Sequence, residues 1–271
     1  MESRGVTGSV IDSERFAVER LFATAGDFMD SGDVPADRGL LGRQRSDGSV
    51  SWGDHRFNGV EETARLLLAL KAIGRPRDCF IELALQFLSK QIRRDDGSVR
   101  SSSDAIDQGW PEGPILDRAA NPHFLEGVGI RRTYPAALTL IALAAWGGAL
   151  RDIDLVKGFL LNEFPSGMWG AFPESEPRPA YTAAACFALI AAGVPRSELK
   201  PAAAYLRSAQ RRDGHWPKEE DVWSVRKSTS DLISVSRIDT TAWCSTALLM
   251  LGGPRNGRAA ARARRYLKYR T

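Results

Sequence analysis

The sequence predicts an all-α protein built as an α/α toroid, a ring of inner helices backed by outer ones. Three observations point there. One template, T/A-A-x4-A-L-x3-G, occurs four times. A second, more polar helical pattern follows each copy, and turns built on Asp-Gly or a lone Gly close most of those second patterns. Self-similarity along a chain is the mark of stacked supersecondary units that bury one another's apolar faces.

The first template copy runs Thr63-Ala64, Ala69-Leu70, Gly74. The second is Ala136-Ala137, Ala142-Leu143, Gly147; the third Thr182-Ala183, Ala188-Leu189, Gly193; the fourth Thr241-Ala242, Ala247-Leu248, Gly252. Ala and Leu are strong helix formers, and each glycine stands where a helix C-cap belongs. Beyond the first turn these stretches are almost free of charge. A helix apolar nearly all round has to be enclosed by other helices.

The second helices are expected near Asp78–Arg93, Asp152–Glu163, Ser197–Arg212 and Asn256–Tyr269. Their apolar residues recur at helical spacing with charges between, as in Phe80, Leu83, Ala84, Phe87 and Leu88. The joints read Gln44-x2-Asp47-Gly48 with Trp52 nearby, Gln91-x4-Asp96-Gly97, Glu163-x3-Gly167-x-Trp169 and Gln210-x2-Asp213-Gly214-x-Trp216. Asp-Gly makes a tight turn, with Gly taking positive φ. The Gln can bond the backbone of a neighbouring helix, and the Trp can cover the junction.

The order is therefore inner helix, short turn, outer helix, long return. Long returns run from about Ser98 to Arg132 and from Pro217 to Ile238. Both precede an inner helix, so both lie on one face, where binding residues concentrate. A helix near Ser13–Met29 and a short one near Asp37–Gln44 bring the count to about five hairpins. Residues 1–271 read as one domain, with 1–35 as N-terminal helix and connection and 36–271 as repeats.

Composition agrees. The chain has 271 residues, 43% hydrophobic and 26% charged, an ordinary globular balance. That excludes a mainly disordered, collagen-like or disulfide-scaffold chain. The net charge is +4, and a nucleic-acid reader would need its cations gathered on one face; no nucleic-acid partner is expected. Cys79, Cys186 and Cys244 are odd in number and widely spaced, so they read as reduced apolar residues. Met1–Gly5 opens no apolar signal region, and a cytoplasmic location is expected. The longest uncharged run, Tyr134–Leu150, is short of the roughly 20 residues a membrane span needs and reads as a buried helix.

Candidate chemistry sits at the starts of the inner helices. Asp239, Glu61 and Glu62 are placed there, where the helix dipole favours a carboxylate. Each has a capping explanation: Asp239 before Thr240-Thr241-Ala242 as an N-cap, and Asn58-Gly59-Val60-Glu61 as a capping box. Tyr134, Tyr181 and Trp243 fall in the first turns of three inner helices, at the same level. Trp110 and Trp223 lie on the long loops. Arg131, Arg132, Arg226 and Lys227 could grip a diphosphate at the mouth, or simply form a solvated face. Arg258, Arg262 and Arg265 share one face of the last helix, read as its wet side.

The joint Gln210-Arg211-Arg212-Asp213-Gly214-His215-Trp216 and the start Thr241-Ala242-Trp243 resemble the repeats of the squalene-hopene cyclase and class II terpene cyclase superfamily, which includes protein prenyltransferase β subunits. The resemblance covers roughly residues 36–270. It implies an apolar central cavity and proton-initiated cyclisation or isomerisation of a linear isoprenoid. In that family a DxDD motif leads into a Thr-Ala helix. Gly59-Val60-Glu61-Glu62-Thr63-Ala64 and Arg237-Ile238-Asp239-Thr240-Thr241-Ala242 lie in that register, neither with the full motif. The resemblance thus assigns Asp239 as the general acid, with Glu61 or Glu62 beside it, and Tyr134, Tyr181 and Trp243 as cavity walls. Protonation needs no metal; Mg2+ enters only with a diphosphate substrate.

Two other readings stand beside this one. The toroid binds an apolar ligand or partner helix without chemistry, or it is a subunit of a heteromeric prenyl-transferring enzyme. The expected partner is an apolar isoprenoid. A second copy or a partner helical domain could close the cavity, and peripheral membrane contact stays open.

Overall fold

A computed structural model of the chain describes residues 44–50, 59–100, 133–173, 175–217 and 237–268, with side chains from Thr240 onward in the last segment. The described residues form an all-α structure of four helical hairpins. The inner helices are α1 (Val60–Ala72), α3 (Thr133–Trp146), α5 (Pro179–Ala191) and α7 (Arg237–Leu251). Their outer partners are α2 (Cys79–Gln91), α4 (Leu150–Asn162), α6 (Lys200–Ala209) and α8 (Pro254–Lys268). The expected helices near Ser13–Met29 and Asp37–Gln44 lie outside the described residues, save Gln44. That residue pairs with Val50 in a single antiparallel bridge.

Each inner helix packs on its outer partner, and the inner helices pack in the sequence α1–α3–α5–α7. Two layers result. The inner layer is apolar on nearly every side: all of Ala136 to Leu143 is buried in α3, and all of Thr182 to Leu189 in α5. The outer helices bury one stripe, such as Phe80, Ile81, Ala84, Phe87 and Leu88 of α2. Enclosing one Leu or Phe side chain gains about 1.5–3 kcal/mol, so this double layer supplies the main driving force.

The glycine that ends each template copy is in the left-handed region, at φ 73, 65, 80 and 70 for Gly74, Gly147, Gly193 and Gly252. The chain then folds back with the bond that closes a Schellman cap, for example Arg75 N–H to Leu70 O at 3.0 Å and Val194 N–H to Leu189 O at 2.9 Å.

The joints staple one hairpin to the next. The Gln44 amide donates to Gly48 O at 3.2 Å and to Phe80 O at 2.9 Å, the latter in α2. The Gln210 amide does the same with Gly214 O and with Ala259 O in α8, both at 2.9 Å. At Gly97, φ is +75 and a β-carbon would stand 2.1 Å from Leu155 O of α4, so only glycine allows this approach. Trp169 and Trp216 are fully buried and donate their indole N–H groups to Leu160 O and Leu206 O at 2.9 and 2.8 Å.

A threonine completes three of these joints. The Oγ1 of Thr63, Thr182 and Thr241 accepts the backbone N–H of Val50, Trp169 and Trp216 at 2.9, 3.0 and 3.2 Å. The template's first residue is thus the inner-helix half of the joint. The second copy carries Ala136 there and has no hydroxyl to offer.

Candidate functional site

One side chain from each inner helix meets at a single place. Arg65 of α1 donates from Nη2 to Tyr134 Oη of α3 at 3.2 Å, and its guanidinium carbon stands 5.7 Å from that ring's centroid. Tyr134 meets Trp243 of α7 edge to face, with centroids 6.2 Å apart. Trp243 meets Phe187 of α5 in the same manner at 5.7 Å. Edge-to-face pairs at these distances are favourable because the positive ring edge faces the negative π-cloud.

Local sequence explains how the four converge. Arg65 is the lone cation of α1 before Lys71 in its last turn, and it is exposed. Tyr134 and Trp243 are half-buried, whereas Phe187 is 4% exposed. The rings touch one another in a row, Tyr134 to Trp243 to Phe187, and form a shelf.

The electrostatics centre on Arg65. The field of Tyr134 raises its pKa above the usual arginine value. Partial desolvation opposes this, and the hydrogen bond to Tyr134 and the charges of Glu62 and Glu61 add to the rise. Both glutamates therefore act on the same guanidinium, although adjacent residues on a helix diverge by about 100°.

Glu61 is buried in the first turn of α1. Glu62 is half-buried, and its Oε2 is enclosed with no hydrogen-bond partner. Gly59 is the N-cap of α1 and has no side chain to offer; Asn58, the residue expected to cap, lies outside the described residues. Asp239 lies inside α7, the third residue of the helix. Its backbone position is thus helical, not the flanking position of an N-cap; its side chain lies outside the described residues.

Tyr181 is half-buried against the same core as the shelf. Trp110, Trp223, Arg131, Arg132, Arg226 and Lys227 lie outside the described residues. Sequence reasoning therefore identified Tyr134 and Trp243, which the structure joins, and missed Arg65 and Phe187. Arg65 had a signal: a charge within an apolar, Leu-rich run. Phe187 had none, because a phenylalanine among alanines and leucines reads as ordinary core.

Among the described residues no group of three His, Cys, Asp or Glu side chains converges as a metal site would require, and no helix is long and apolar enough to cross a membrane. A pocket lined by Arg207, Gly252, Gly253, Pro254, Arg255 and Asn256 lies at the other end of α7. There Asn256 is already bonded, donating to Gly252 O at 2.7 Å and accepting from Arg207 at 2.5 Å. Comparison with known protein families, with curated proteins and with solved structures finds no match.

Proposed function

We propose that the chain completes an α/α toroid whose inner end binds an apolar, chain-like ligand of isoprenoid type. The convergence of Arg65, Tyr134, Phe187 and Trp243, one residue from each inner helix, carries this reading. The half-buried faces of Tyr134 and Trp243 offer apolar surface that a hydrocarbon chain would cover. Arg65, at the edge of the shelf, would hold a polar head group, such as a diphosphate or hydroxyl. The joints and the template resemble terpene-cyclase repeats, which points to the same ligand class.

Binding is favoured over catalysis by the position of Arg65. Proton donation to an alkene needs a carboxyl kept neutral in apolar surroundings. A guanidinium one helical turn from Glu61 and Glu62 works against that. The test is native mass spectrometry of the purified chain for a retained apolar molecule, followed by calorimetric titration with farnesyl diphosphate and with squalene. Tyr134→Ala and Trp243→Ala should each weaken binding about tenfold, the scale of losing roughly 1.4 kcal/mol of aromatic contact. Failure of every such ligand to bind, alone and in the presence of co-encoded partner chains, would defeat the proposal.

A second reading, acid-initiated cyclisation, rests on Glu62 Oε2, an enclosed carboxyl oxygen with no partner, on the helix that carries Arg65. Asp239 would be the other acid. Incubation of wild type, Glu61→Gln, Glu62→Gln and Asp239→Asn with the same panel decides it. A cyclic product lost in one variant at unchanged melting temperature supports catalysis; no product from wild type ends that reading.

A further inference from the structure

The short inner-to-outer turns gather at one end of the hairpins, opposite the starts of the inner helices. This turn face is apolar in an unusual place. Ile73, just past α1, is 77% exposed, and Leu150, which opens α4, is 78% exposed. They are the two most exposed large hydrophobic side chains among the described residues. They stand on neighbouring hairpins, since α1 packs on α3. Pro76, Pro195 and Pro254 on the same set of turns are exposed as well.

The face is also cationic. Lys71 in the last turn of α1, and Arg151, Lys200 and Arg255 in the first turns of α4, α6 and α8, are all exposed. Lys71 lies over the Trp146 ring at 4.7 Å; Arg151, Lys200 and Arg255 have no acidic partner among the described residues. Arg75 and Arg77, by contrast, are neutralised by Asp78 and Glu82. A cation in a helix's first turn opposes the helix dipole. α6 and α8 carry such cations with no acid in that turn. Helix stability does not explain these residues.

Single aliphatic side chains standing out between unpaired cations suit a fluid surface that closes around each one. A folded protein partner would instead need matching pockets. Negative lipid phosphates complement the cations, and the acyl boundary takes the aliphatics. We propose that the turn face docks peripherally on an anionic lipid surface, with Ile73 and Leu150 entering the bilayer and Lys71, Arg151, Lys200 and Arg255 meeting lipid phosphates. This face shares no residue with the aromatic shelf, so the proposal stands or falls separately from the ligand reading.

The full chain is sedimented with phosphatidylcholine vesicles and with vesicles containing about a quarter phosphatidylglycerol, at low and at high salt. Binding is expected on the anionic vesicles, weaker at high salt, and weak on the neutral ones. Ile73→Ser/Leu150→Ser should lower the partition coefficient at least about tenfold at unchanged melting temperature, the exposed sites having no packing to lose. Arg151→Gln/Lys200→Gln/Arg255→Gln should lower it and flatten the salt dependence. Arg265→Gln/Lys268→Gln, at the far end of α8, should leave it unchanged. No binding to anionic vesicles overturns the proposal. So does full binding by the Ile73→Ser/Leu150→Ser variant, or a loss confined to the far-end control.

Discussion

Two buried threonines give a matched test of how the repeats are joined. Thr182 and Thr139 are both fully buried on inner helices. Thr182 Oγ1 accepts the Trp169 N–H at 3.0 Å and donates to Trp169 O at 3.0 Å. Thr139 Oγ1 is enclosed and has no partner. Valine keeps the volume of threonine, so Thr182→Val leaves no cavity. It does strand the Trp169 N–H, while Trp169 O keeps its bond from Arg178 N–H at 2.9 Å. A buried orphan N–H costs about 1–3 kcal/mol, so a loss of about 2 kcal/mol is expected. Thr139→Val removes an unmet hydroxyl and should gain about 1 kcal/mol. In a chain of this size, about 2 kcal/mol lowers the melting temperature by roughly 4–8 °C, and the gain raises it by roughly 2–4 °C. Guanidinium unfolding followed by far-ultraviolet circular dichroism measures both. The reasoning is refuted if Thr182→Val lies within about 0.5 kcal/mol of wild type, the scatter of neutral substitutions, or if Thr139→Val is the more damaging change.

Two further outcomes follow from single residues. Asp78 caps α2, accepting the Ile81 N–H at 3.0 Å and an Arg75 N–H at 2.6 Å. Burial acts to raise its pKa, but the bonds from Arg75 and Ile81 outweigh this and hold it below its usual 3.8. The folded value is therefore the lower one. Its stabilisation is complete above the unfolded value and disappears as pH falls through the folded value. Asp78→Ala should cost about 1 kcal/mol at neutral pH, and the gap to wild type should close in unfolding measured below pH 3.8. Cys79 is exposed, whereas Cys186 and Cys244 are buried, and burial pushes the Cys186 thiol up to about 12. A chromogenic disulfide reagent should consume one thiol per native chain, absent in Cys79→Ser, and all three after denaturation.

Sequence alone determined the layers. The four template copies became α1, α3, α5 and α7, and their glycines cap those helices at positive φ. This was legible because helix periodicity, composition and the αL cap are local properties, fixed within a few residues. The joint motif was legible too: Gln210 reaches Ala259 O, and Gly97 meets the α4 backbone. Boundaries shifted by a few residues, as at Lys200–Ala209 against an expected 197–212, since helix ends answer to their neighbours.

Tertiary packing decided the site. Tyr134 and Trp243 are 109 positions apart in the chain, and only the row of inner helices brings their rings to 6.2 Å. Arg65 and Phe187 join them for the same reason. The cap at α1 was likewise settled by backbone geometry, which put Gly59 where a side chain was expected. Patterning tells each helix which faces must leave water, because transfer free energy belongs to the residue. It does not tell which side chains of distant helices share a level, because that depends on register and rotation set by contacts between them.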